Sequence, residues 1–408
     1  MATTMHGSLN DISKCLVAVL ASVTALFSAP LLSGDDSGPL AKAVLDPFVE
    51  RGEIAGAAVM IVSAKRVLEH DVVGFSDLVT RREMKKDALF WLASTSKAFV
   101  GTAVMMLVDE GRIDLDDPVM KFLPDFQPPV ALNPEAPATT ATRPASRPVT
   151  IRMLLNHSSG MYSGSPADSP TLDALPLAQR VASYARLLQS DPGTRFNYGN
   201  ADINTAAYVV EVVSGAPFDR FLETRLLKPL GMTETRFCPT ARQLERLPTA
   251  YYLPSGTATA LEKTPITFLH YPLSDCEHRY PVPAGGLFST AADLGRFARM
   301  LLNGGSLGGK RYLSASSVDE MTRNQLPENV RLTVPLSAPP DRMGYGLGWA
   351  VSLDGSYFHP GTGMTEIRVD PTHKVATILL MQSTAPASFN ARAALINASD
   401  ARYAPTRR

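Results

Sequence analysis

The stretch that decides the fold is FWLASTSKAFVGTAVMMLVDEG, which runs from Phe90 to Gly111. Most of it is apolar, and this predicts a helix packed in the core that ends at the glycine. Its polar residues gather at the front, in STSK. Ser94 and Lys97 are three residues apart, so their side chains lie on one face of the helix, one turn apart. The stretch is therefore either a polar helix start or a nucleophile with its base.

A lysine in this position can accept the serine proton only when it is uncharged. Desolvation at a helix start inside a cleft would lower the pKa of Lys97. The N–H groups and the dipole of the helix start favour negative charge near Ser94, which suits an oxyanion. Ser-x-x-Lys also arises by chance, and the ordinary alternative is an N-cap serine followed by a solvated lysine. Lys97 is the only lysine of the chain with a serine three positions before it, and apolar residues follow it directly.

A second candidate site lies in TRFNYGNADIN, residues 194–204. Tyr198 and Asn200 flank a glycine just before a predicted helix. Alternate residues of a turn point the same way, so the phenol and the amide can face one cleft, and Gly199 permits close approach. A tyrosine can relay a proton if nearby cations lower its pKa. The asparagine could position Lys97 or hold a substrate carbonyl, whereas plain packing is the alternative for the tyrosine.

A third candidate lies in YFHPGTGMTEIRVDP, residues 357–371. Gly361 and Gly363, inside a strand pattern, indicate close approach by a ligand or by another backbone. His359 could donate to a substrate carboxylate or assist proton transfer. The N–H group of Thr362 is expected to form an oxyanion hole with that of Ser94. The alternative is an edge strand that carries a surface histidine.

The three motifs Ser-x-x-Lys, Tyr-x-Asn and His-x-Gly occur once each and in that order. Together they resemble the penicillin-recognising serine hydrolases. That family includes class C β-lactamases, D-alanyl-D-alanine carboxypeptidases, D-aminopeptidases and the family VIII esterases. LLNHSSGM (154–161) and AGGLFSTAADLGRFARMLLNGG (284–305) are similar to the same family. The resemblance extends over nearly the whole chain after residue 38.

The resemblance implies a role for each matching residue. Ser94 would be the acylated nucleophile and Lys97 its base or proton relay. Tyr198 would move protons to the leaving group and during deacylation, and Asn200 would bind substrate and orient Lys97. Which of Lys97 and Tyr198 is the general base stays open at this point, because related enzymes divide on it.

The resemblance also places a substrate-binding strand near the C-terminus. His359 and Gly361 stand where β-lactamases have Lys-Thr-Gly, and the N–H groups of Ser94 and Thr362 would form the oxyanion hole. A lysine binds a substrate carboxylate at any neutral pH, whereas a histidine does so only when protonated. This departure argues against an efficient β-lactamase.

The order of predicted elements indicates an α+β protein of the β-lactamase/transpeptidase type. A hairpin turning at Ala64–Lys65 and three strands near the C-terminus, within 344–352, 355–371 and 374–383, are expected to share one antiparallel sheet. Helices would flank this sheet, with a mainly helical region inserted between the two sets of strands. We expect the site at the seam, in a hydrolase domain spanning residues 38–408.

Within this domain the stretch from Gln127 to Val149 is rich in Pro, Ala and Thr and nearly uncharged. This composition predicts a surface loop insertion that is partly extended and mobile and forms no strand. It comes shortly before LLNHSSGM, so we expect it to border the cleft and to influence substrate size.

The N-terminal segment, residues 1–37, predicts export. Lys14 precedes an apolar run that ends in small residues, as in a secretory signal peptide, although Asp11 precedes the run and Pro30 follows the expected cleavage point at Ala29. The expected location is periplasmic or extracellular. The alternatives are an uncleaved membrane anchor, or neither function.

The amino-acid composition limits the classes of partner that we expect for this protein. The chain has 408 residues, of which 45% are hydrophobic, and its 39 Lys and Arg balance 39 Asp and Glu. Such a balance indicates no nucleic-acid partner, and a membrane partner only through the N-terminal segment. Cys238 and Cys276 could pair in an exported protein or remain separate thiols. No CxxC or HxxxH spacing is present, so no metal and no cofactor is predicted.

The sequence therefore predicts a serine hydrolase that forms an acyl-enzyme on Ser94 and cleaves an amide or ester. The candidate substrates are D-amino-acid peptides, small esters and, more weakly, β-lactams. The alternative is a non-hydrolytic sensor or scaffold of the same fold that binds β-lactams or peptidoglycan.

Overall fold

The computed structural model describes the chain in separate stretches, which are 38–135, 140–164, 173–254, 259–265, 269–332 and 343–404. The predicted signal or anchor segment, residues 1–37, lies outside them. Within these stretches no helix is both long and apolar enough to cross a membrane. The described residues from Pro39 onward belong to one compact unit.

This unit contains both α-helices and β-strands, many of them short. The α-helices are α1 (Leu40–Glu50), α2 (Lys97–Asp109), α3 (Ile151–Leu155), α4 (Leu177–Tyr184), α5 (Ala201–Ser214), α6 (Phe218–Leu222), α7 (Lys228–Leu230), α8 (Ala241–Leu244), α9 (Ala291–Leu302), α10 (Ala315–Thr322) and α11 (Pro386–Tyr403). The strands are β1 (Gly56–Ser63), β2 (Val67–Asp77), β3 (Arg82–Glu83), β4 (Phe90–Trp91), β5 (Val130–Ala131), β6 (Thr142–Arg143), β7 (Ala250–Tyr252), β8 (Glu262–Thr264), β9 (Phe288–Ser289), β10 (Ser306–Leu307), β11 (Lys310–Arg311), β12 (Met343–Tyr345), β13 (Ala350–Ser352), β14 (Tyr357–Gly361), β15 (Thr365–Asp370) and β16 (Val375–Leu380).

One eight-stranded sheet is built from both ends of the chain, with the order β12-β13-β14-β15-β16-β1-β2-β3. Each neighbouring pair is antiparallel. The centre of the sheet joins the two ends, because Met60 of β1 lies opposite His70 of β2 on one side and opposite Ile378 of β16 on the other. The predicted α+β class and the sheet shared between both ends are confirmed.

The C-terminal part of the sheet contains five strands, so the prediction of three was wrong. Two of the predicted strands are each folded into a hairpin. In the first, Gly348 turns the chain with a φ of 81° between β12 and β13. In the second, Met364 has a φ of 61° in the turn between β14 and β15. Each run has the apolar pattern of a single strand, but the turn residues inside it divide it into two strands.

The sheet is buried on both faces by helices. Side chains alternate along β1, so Met60 and Val62 join the large core on the side of α9. Val59 and Ile61 face the other way and join a second core formed with α1 and α11. A strand covered on both faces has no polar side, which is why β1 reads as a continuous apolar run.

Helix α2 lies inside the larger core. Its Phe99 stacks on Phe297 of α9 with ring centroids 4.3 Å apart, and every residue from Lys97 to Leu107 is buried. The helix is therefore fixed on all sides by packing. A side chain at its first turn has little freedom to move, which suits a catalytic position.

The Pro-rich insertion, Gln127 to Val149, contains a small two-stranded sheet of β5 and β6. The prediction that it forms no strand was wrong, because Val130 and Ala131 are buried and Ala131 N donates to Leu188 O at 2.8 Å. Residues 136–139 lie outside the described stretches. The insertion contacts the segment that follows α3, where the Tyr162 hydroxyl donates to Pro134 O at 3.0 Å.

Cys238 and Cys276 form a disulfide with their Cα atoms 5.7 Å apart, which settles the alternative that the sequence left open. A buried ion pair lies close by, in which Arg279 Nε donates to Asp173 Oδ2 at 2.9 Å. Arg279 also donates to Leu273 O at 3.0 Å. Together these contacts hold the segment that leads into Ala284.

Candidate active site

Ser94, at the start of α2, is partly exposed whereas its neighbours are buried. From residue 88 to residue 107 every side chain is buried except that of Ser94, which is partly exposed. A 3₁₀ turn, Ala93–Ser96, leads into α2, and Ala93 has a φ of 47°. The first N–H groups of such a helical segment have no acceptor within the helix. Ser94 thus presents its hydroxyl beside backbone donors.

Lys97 lies one turn further on and is fully buried. Its Nζ donates to Ser94 Oγ at 3.0 Å, to Asn200 Oδ1 at 2.9 Å and to Ala284 O at 2.8 Å. An ammonium group has three donors, and here all three are used. These acceptors are uncharged, and no carboxylate in the described part of the chain forms an ion pair with Lys97.

Burial without a counter-charge disfavours the ammonium form and lowers the pKa of Lys97 from 10.5 to about 7. A large fraction of this amine is therefore neutral at neutral pH. With its lone pair 3.0 Å from the Ser94 oxygen, the neutral amine can take the hydroxyl proton. The geometry and the charge state that the sequence required of this pair are both present.

Tyr198 lies on the other side of Ser94. Its hydroxyl hydrogen-bonds the Ser94 side chain, and its ring centroid is 5.0 Å from Lys97 Nζ. Burial raises the pKa of Tyr198 well above 10, so the lowered pKa that was named above as a condition for proton relay is not found here. Tyr198 is a neutral phenol at this site. It can pass a proton, while Lys97 is the group with the pKa of a base.

The turn that carries Tyr198 and Asn200 rests against the stretch that follows α3. Asn200 N donates to Ser163 O at 2.7 Å, and Asn197 Nδ2 donates to Met161 O at 2.7 Å. A Cβ atom on Gly199 would collide with the backbone of Ser163. The glycine between the two functional residues is therefore needed for backbone packing.

Strand β14 lies directly beside the 3₁₀ turn. Thr95 Oγ1 donates to His359 O at 3.2 Å, and a Cβ atom on Gly361 would collide with the carbonyl of Leu92. Of the two reasons that the sequence allowed for this glycine, the structure supports close approach of another backbone. Thr362 follows in the exposed turn at the end of the strand.

His359 does not reach the cleft in this structure. Its side chain is fully buried, its Nδ1 donates to Pro360 O at 2.9 Å, and its Nε2 accepts from the Tyr345 hydroxyl at 3.1 Å. Burial and the charge of Lys97 hold the pKa of His359 well below 6.5. The structure therefore does not support its expected role as a donor to a substrate carboxylate, because the imidazole is neutral and both nitrogens are occupied.

Two features of the site were missed from the sequence. Ala284 contributes only its backbone carbonyl, which no side-chain pattern can reveal. His157 and Asp202 form a buried pair next to the Tyr198 ring. Their signal was present, since the histidine lies in LLNHSSGM and the aspartate interrupts an apolar helix two residues after Asn200.

These observations define a partly exposed serine paired with a buried lysine at a helix start, beside a tyrosine and an antiparallel strand. The chain belongs to the Beta-lactamase family, whose model matches residues 41–401. The resemblance to the penicillin-recognising serine hydrolases is thereby confirmed.

Particular relatives share this fold along most of their length. Protein Rv1367c of Mycobacterium tuberculosis is 31% identical over 372 residues, which cover 85% of this chain and 90% of the relative. The structure of EstCE1, a hydrolase with promiscuous acyltransferase activity, matches with a TM-score of 0.71 and 23% identity over 88% of this chain and 97% of the other. Unliganded simvastatin synthase (LovD) from Aspergillus terreus matches with a TM-score of 0.74 and 21% identity over 89% and 98%.

The pKa of Lys97 predicts the pH dependence of the reaction. The base is active when deprotonated, so kcat/KM for a neutral ester should rise with pH through an acid limb centred at about 7. Burial holds the pKa values of His157 and His359 well below 6.5, so neither histidine should produce this limb. A pH-stat assay from about pH 5 to pH 9 measures the profile. A flat profile between about pH 6 and pH 8 would contradict the assignment of Lys97 as base.

Proposed function

We propose that this protein is a serine hydrolase that forms an acyl-enzyme on Ser94 and cleaves a carboxylic ester or amide. One observation carries the proposal, namely a fully buried Lys97 whose Nζ lies 3.0 Å from Ser94 Oγ and whose pKa is lowered to about 7. A structural lysine would be expected to keep its charge and a carboxylate partner. Lys97 is largely neutral near pH 7 and above, and it pairs with no carboxylate among the described residues.

In the proposed reaction the Ser94 oxygen attacks the substrate carbonyl carbon while its proton passes to neutral Lys97. The tetrahedral oxyanion is bound by the N–H groups of Ser94 and Thr362. The intermediate collapses, and the alcohol or amine leaves with a proton delivered from Lys97 through the Tyr198 hydroxyl. Water then attacks the acyl-enzyme and gives a proton through the Tyr198 hydroxyl to Lys97. When the second tetrahedral intermediate collapses, Lys97 returns this proton to the Ser94 oxygen and the carboxylic acid leaves.

Among the candidate substrates the site favours small uncharged esters over D-amino-acid peptides and β-lactams. The last two carry a carboxylate that needs a cation, and the strand position expected to supply one holds the buried, neutral His359. The structural neighbour described as a hydrolase with promiscuous acyltransferase activity supports acyl chemistry in this fold. We expect that a short alcohol can replace water as the acceptor of the acyl group.

The test is active-site labelling followed by a substrate comparison. A fluorophosphonate should label the full-length protein with one equivalent, and peptide mapping should place the label on Ser94. Ser96→Ala is the matched control, because Ser96 is the rival serine of STSK and its Oγ instead accepts from Leu287 N at 3.2 Å. Labelling should persist in this variant. A label on any other residue would overturn the proposal.

Turnover then separates the hydrolase from the non-hydrolytic alternative. We expect p-nitrophenyl butyrate to be cleaved faster than a D-alanyl-D-alanine peptide or a chromogenic cephalosporin. One equivalent of acylation without further turnover on all three would instead support the sensor or scaffold. Faster turnover of the D-peptide would overturn the preference for uncharged substrates and leave the nucleophile assignment intact.

A further inference from the structure

A buried pair of ionisable side chains lies behind the catalytic turn. His157 and Asp202 are both fully buried, and His157 Nδ1 lies 3.3 Å from Asp202 Oδ2. The imidazole packs on the Tyr198 ring with centroids 4.7 Å apart. Asp202 lies in the first turn of α5, two residues after Asn200, which binds Lys97. His157 therefore packs against Tyr198, and Asp202 is close in the chain to Asn200. Tyr198 and Asn200 are the residues that contact Ser94 and Lys97.

The pair also fastens two segments of backbone together. The Ser159 hydroxyl donates to the second carboxyl oxygen of Asp202, and Asn197 N donates to His157 O at 2.8 Å. His157 has a φ of 58°, a left-handed conformation that a non-glycine residue adopts only when its surroundings impose it. The strained turn of residues 157–159 is therefore held against the Tyr198 turn through side chains as well as backbone.

Burial favours the uncharged form of both members of the pair. Burial raises the pKa of Asp202 well above its usual range and lowers that of His157, to which the charge of Lys97 also contributes. His157 Nε2 has no hydrogen-bond partner among the described residues, which an uncharged ring tolerates better than an imidazolium. The other ionisable groups around the ring are Lys97, Tyr198, Tyr345 and His359. A protonated Asp202 can donate to His157 Nδ1, and the neutral imidazole then carries its own proton on Nε2.

A neutral pair has a consequence for the base. An ionised carboxylate at this position would stabilise the ammonium form of Lys97 and keep the amine protonated at neutral pH. A carboxyl group that shares its proton with His157 gives the same packing without this effect. The pair can therefore hold the catalytic turn rigidly while the amine remains a base.

We propose that His157 and Asp202, fastened by Ser159, form a neutral positioning pair that holds Tyr198 and Asn200 against Ser94 and Lys97. This inference rests on the proposed acyl-enzyme reaction, in which Tyr198 passes protons and Asn200 orients Lys97. The pair acts through Tyr198 and Asn200 and not on the serine itself, so its contribution is to the rates of the proton-transfer steps.

The test compares two replacements of Asp202. Asp202→Ala removes both hydrogen bonds and should lower kcat by roughly 10- to 100-fold with KM changed by less than about threefold, as expected when reacting groups are misplaced. Asp202→Asn keeps one donor for His157 and one acceptor for Ser159 and cannot ionise. It should restore kcat to within about threefold of wild type and leave the acid limb at about pH 7.

The matched control is Asp293→Ala. Asp293 is also a buried carboxyl in the first turn of a helix, with a pKa raised by burial. Its oxygen accepts from Thr235 Oγ1 at 2.8 Å and from Glu234 N at 2.9 Å, away from the serine–lysine pair. This variant should lose stability but keep kcat per labelled active site. Equal losses of kcat in the two alanine variants would overturn the proposal.

Further outcomes separate this inference from the proposed function. If wild-type protein is not labelled on Ser94, the proposed function fails; if it is labelled and Asp202→Ala reacts equally fast, only the positioning pair fails. A fall of Asp202→Asn to the level of the alanine variant, or a shift of its acid limb, would overturn the neutral pair. If Asp202→Ala does not fold, Ser159→Ala carries the test, with a several-fold loss of kcat expected and an unchanged kcat overturning the inference.

Discussion

Replacing Ser94 with alanine is expected to lower kcat for a small ester by roughly 10⁴- to 10⁶-fold, the range seen when a serine nucleophile is removed. The expected loss is this large because Lys97 and Tyr198 both act through the serine oxygen, and without it they have no atom to activate. The side chain is partly exposed and lies outside the packed core, so the melting temperature should change little. Ester turnover and thermal unfolding of the same preparation measure both effects.

The residual rate of this variant is informative. Residual activity with the wild-type pH profile would show that another nucleophile is responsible and that the serine assignment is wrong. Background hydrolysis assisted only by the backbone donors would show no acid limb at about 7, because no proton then passes to Lys97.

Replacing Lys97 with methionine should lower kcat by roughly 10³-fold, since general-base catalysis contributes about 10²- to 10⁴-fold. The same change should not destabilise the protein at neutral pH. The pKa of Lys97 in the folded state, about 7, is below the unfolded value of 10.5. Burial of the ammonium group therefore destabilises the folded protein fully below pH 7. This penalty disappears as the pH rises toward 10.5.

Methionine removes that penalty, which is roughly 4 kcal/mol at pH 7 by the pKa difference. Against this, Asn200 Oδ1 and Ala284 O each lose a donor, at about 1–3 kcal/mol per buried group. We expect the free energy of unfolding at about pH 6 to be equal to or slightly above that of wild type. Urea unfolding at about pH 6 and pH 9 measures this difference, which should shrink at the higher pH.

Lys121→Met is the matched control for this experiment, because Lys121 is exposed and forms a surface ion pair with Asp117 at 2.7 Å. It should change neither kcat nor the pH dependence of stability. A Lys97→Met variant that is several kcal/mol less stable at both pH values would indicate an ordinary structural lysine.

Several parts of this architecture could be predicted from the sequence because they depend on local spacing. The Ser94 and Lys97 side chains meet because three residues make nearly one helical turn. Strand β1 was found because its apolar run is flanked by turn residues. The glycine between Tyr198 and Asn200 was recognised as a point of close approach, although the group that approaches is the backbone of Ser163.

Other parts depended on contacts between distant segments. A strand pattern shows that His359 shares a face with Gly361, but it cannot show that Tyr345, from another strand, covers that face. The direction of the Tyr198 pKa shift depends on how deeply the site is buried, which the local sequence does not show. Burial lowers the pKa of Lys97 and raises that of Tyr198.

The Cys238–Cys276 disulfide has a practical consequence for biochemical work on this protein. It closes a loop of the chain whose far end continues into Ala284, and the carbonyl of Ala284 is one of the three acceptors of Lys97. Protein prepared in a reducing cytoplasm would lack this crosslink in some or all molecules, so its specific activity would depend on the fraction that is oxidised. Recombinant production should therefore use an oxidising compartment, and thiol content should be measured before rates of different variants are compared.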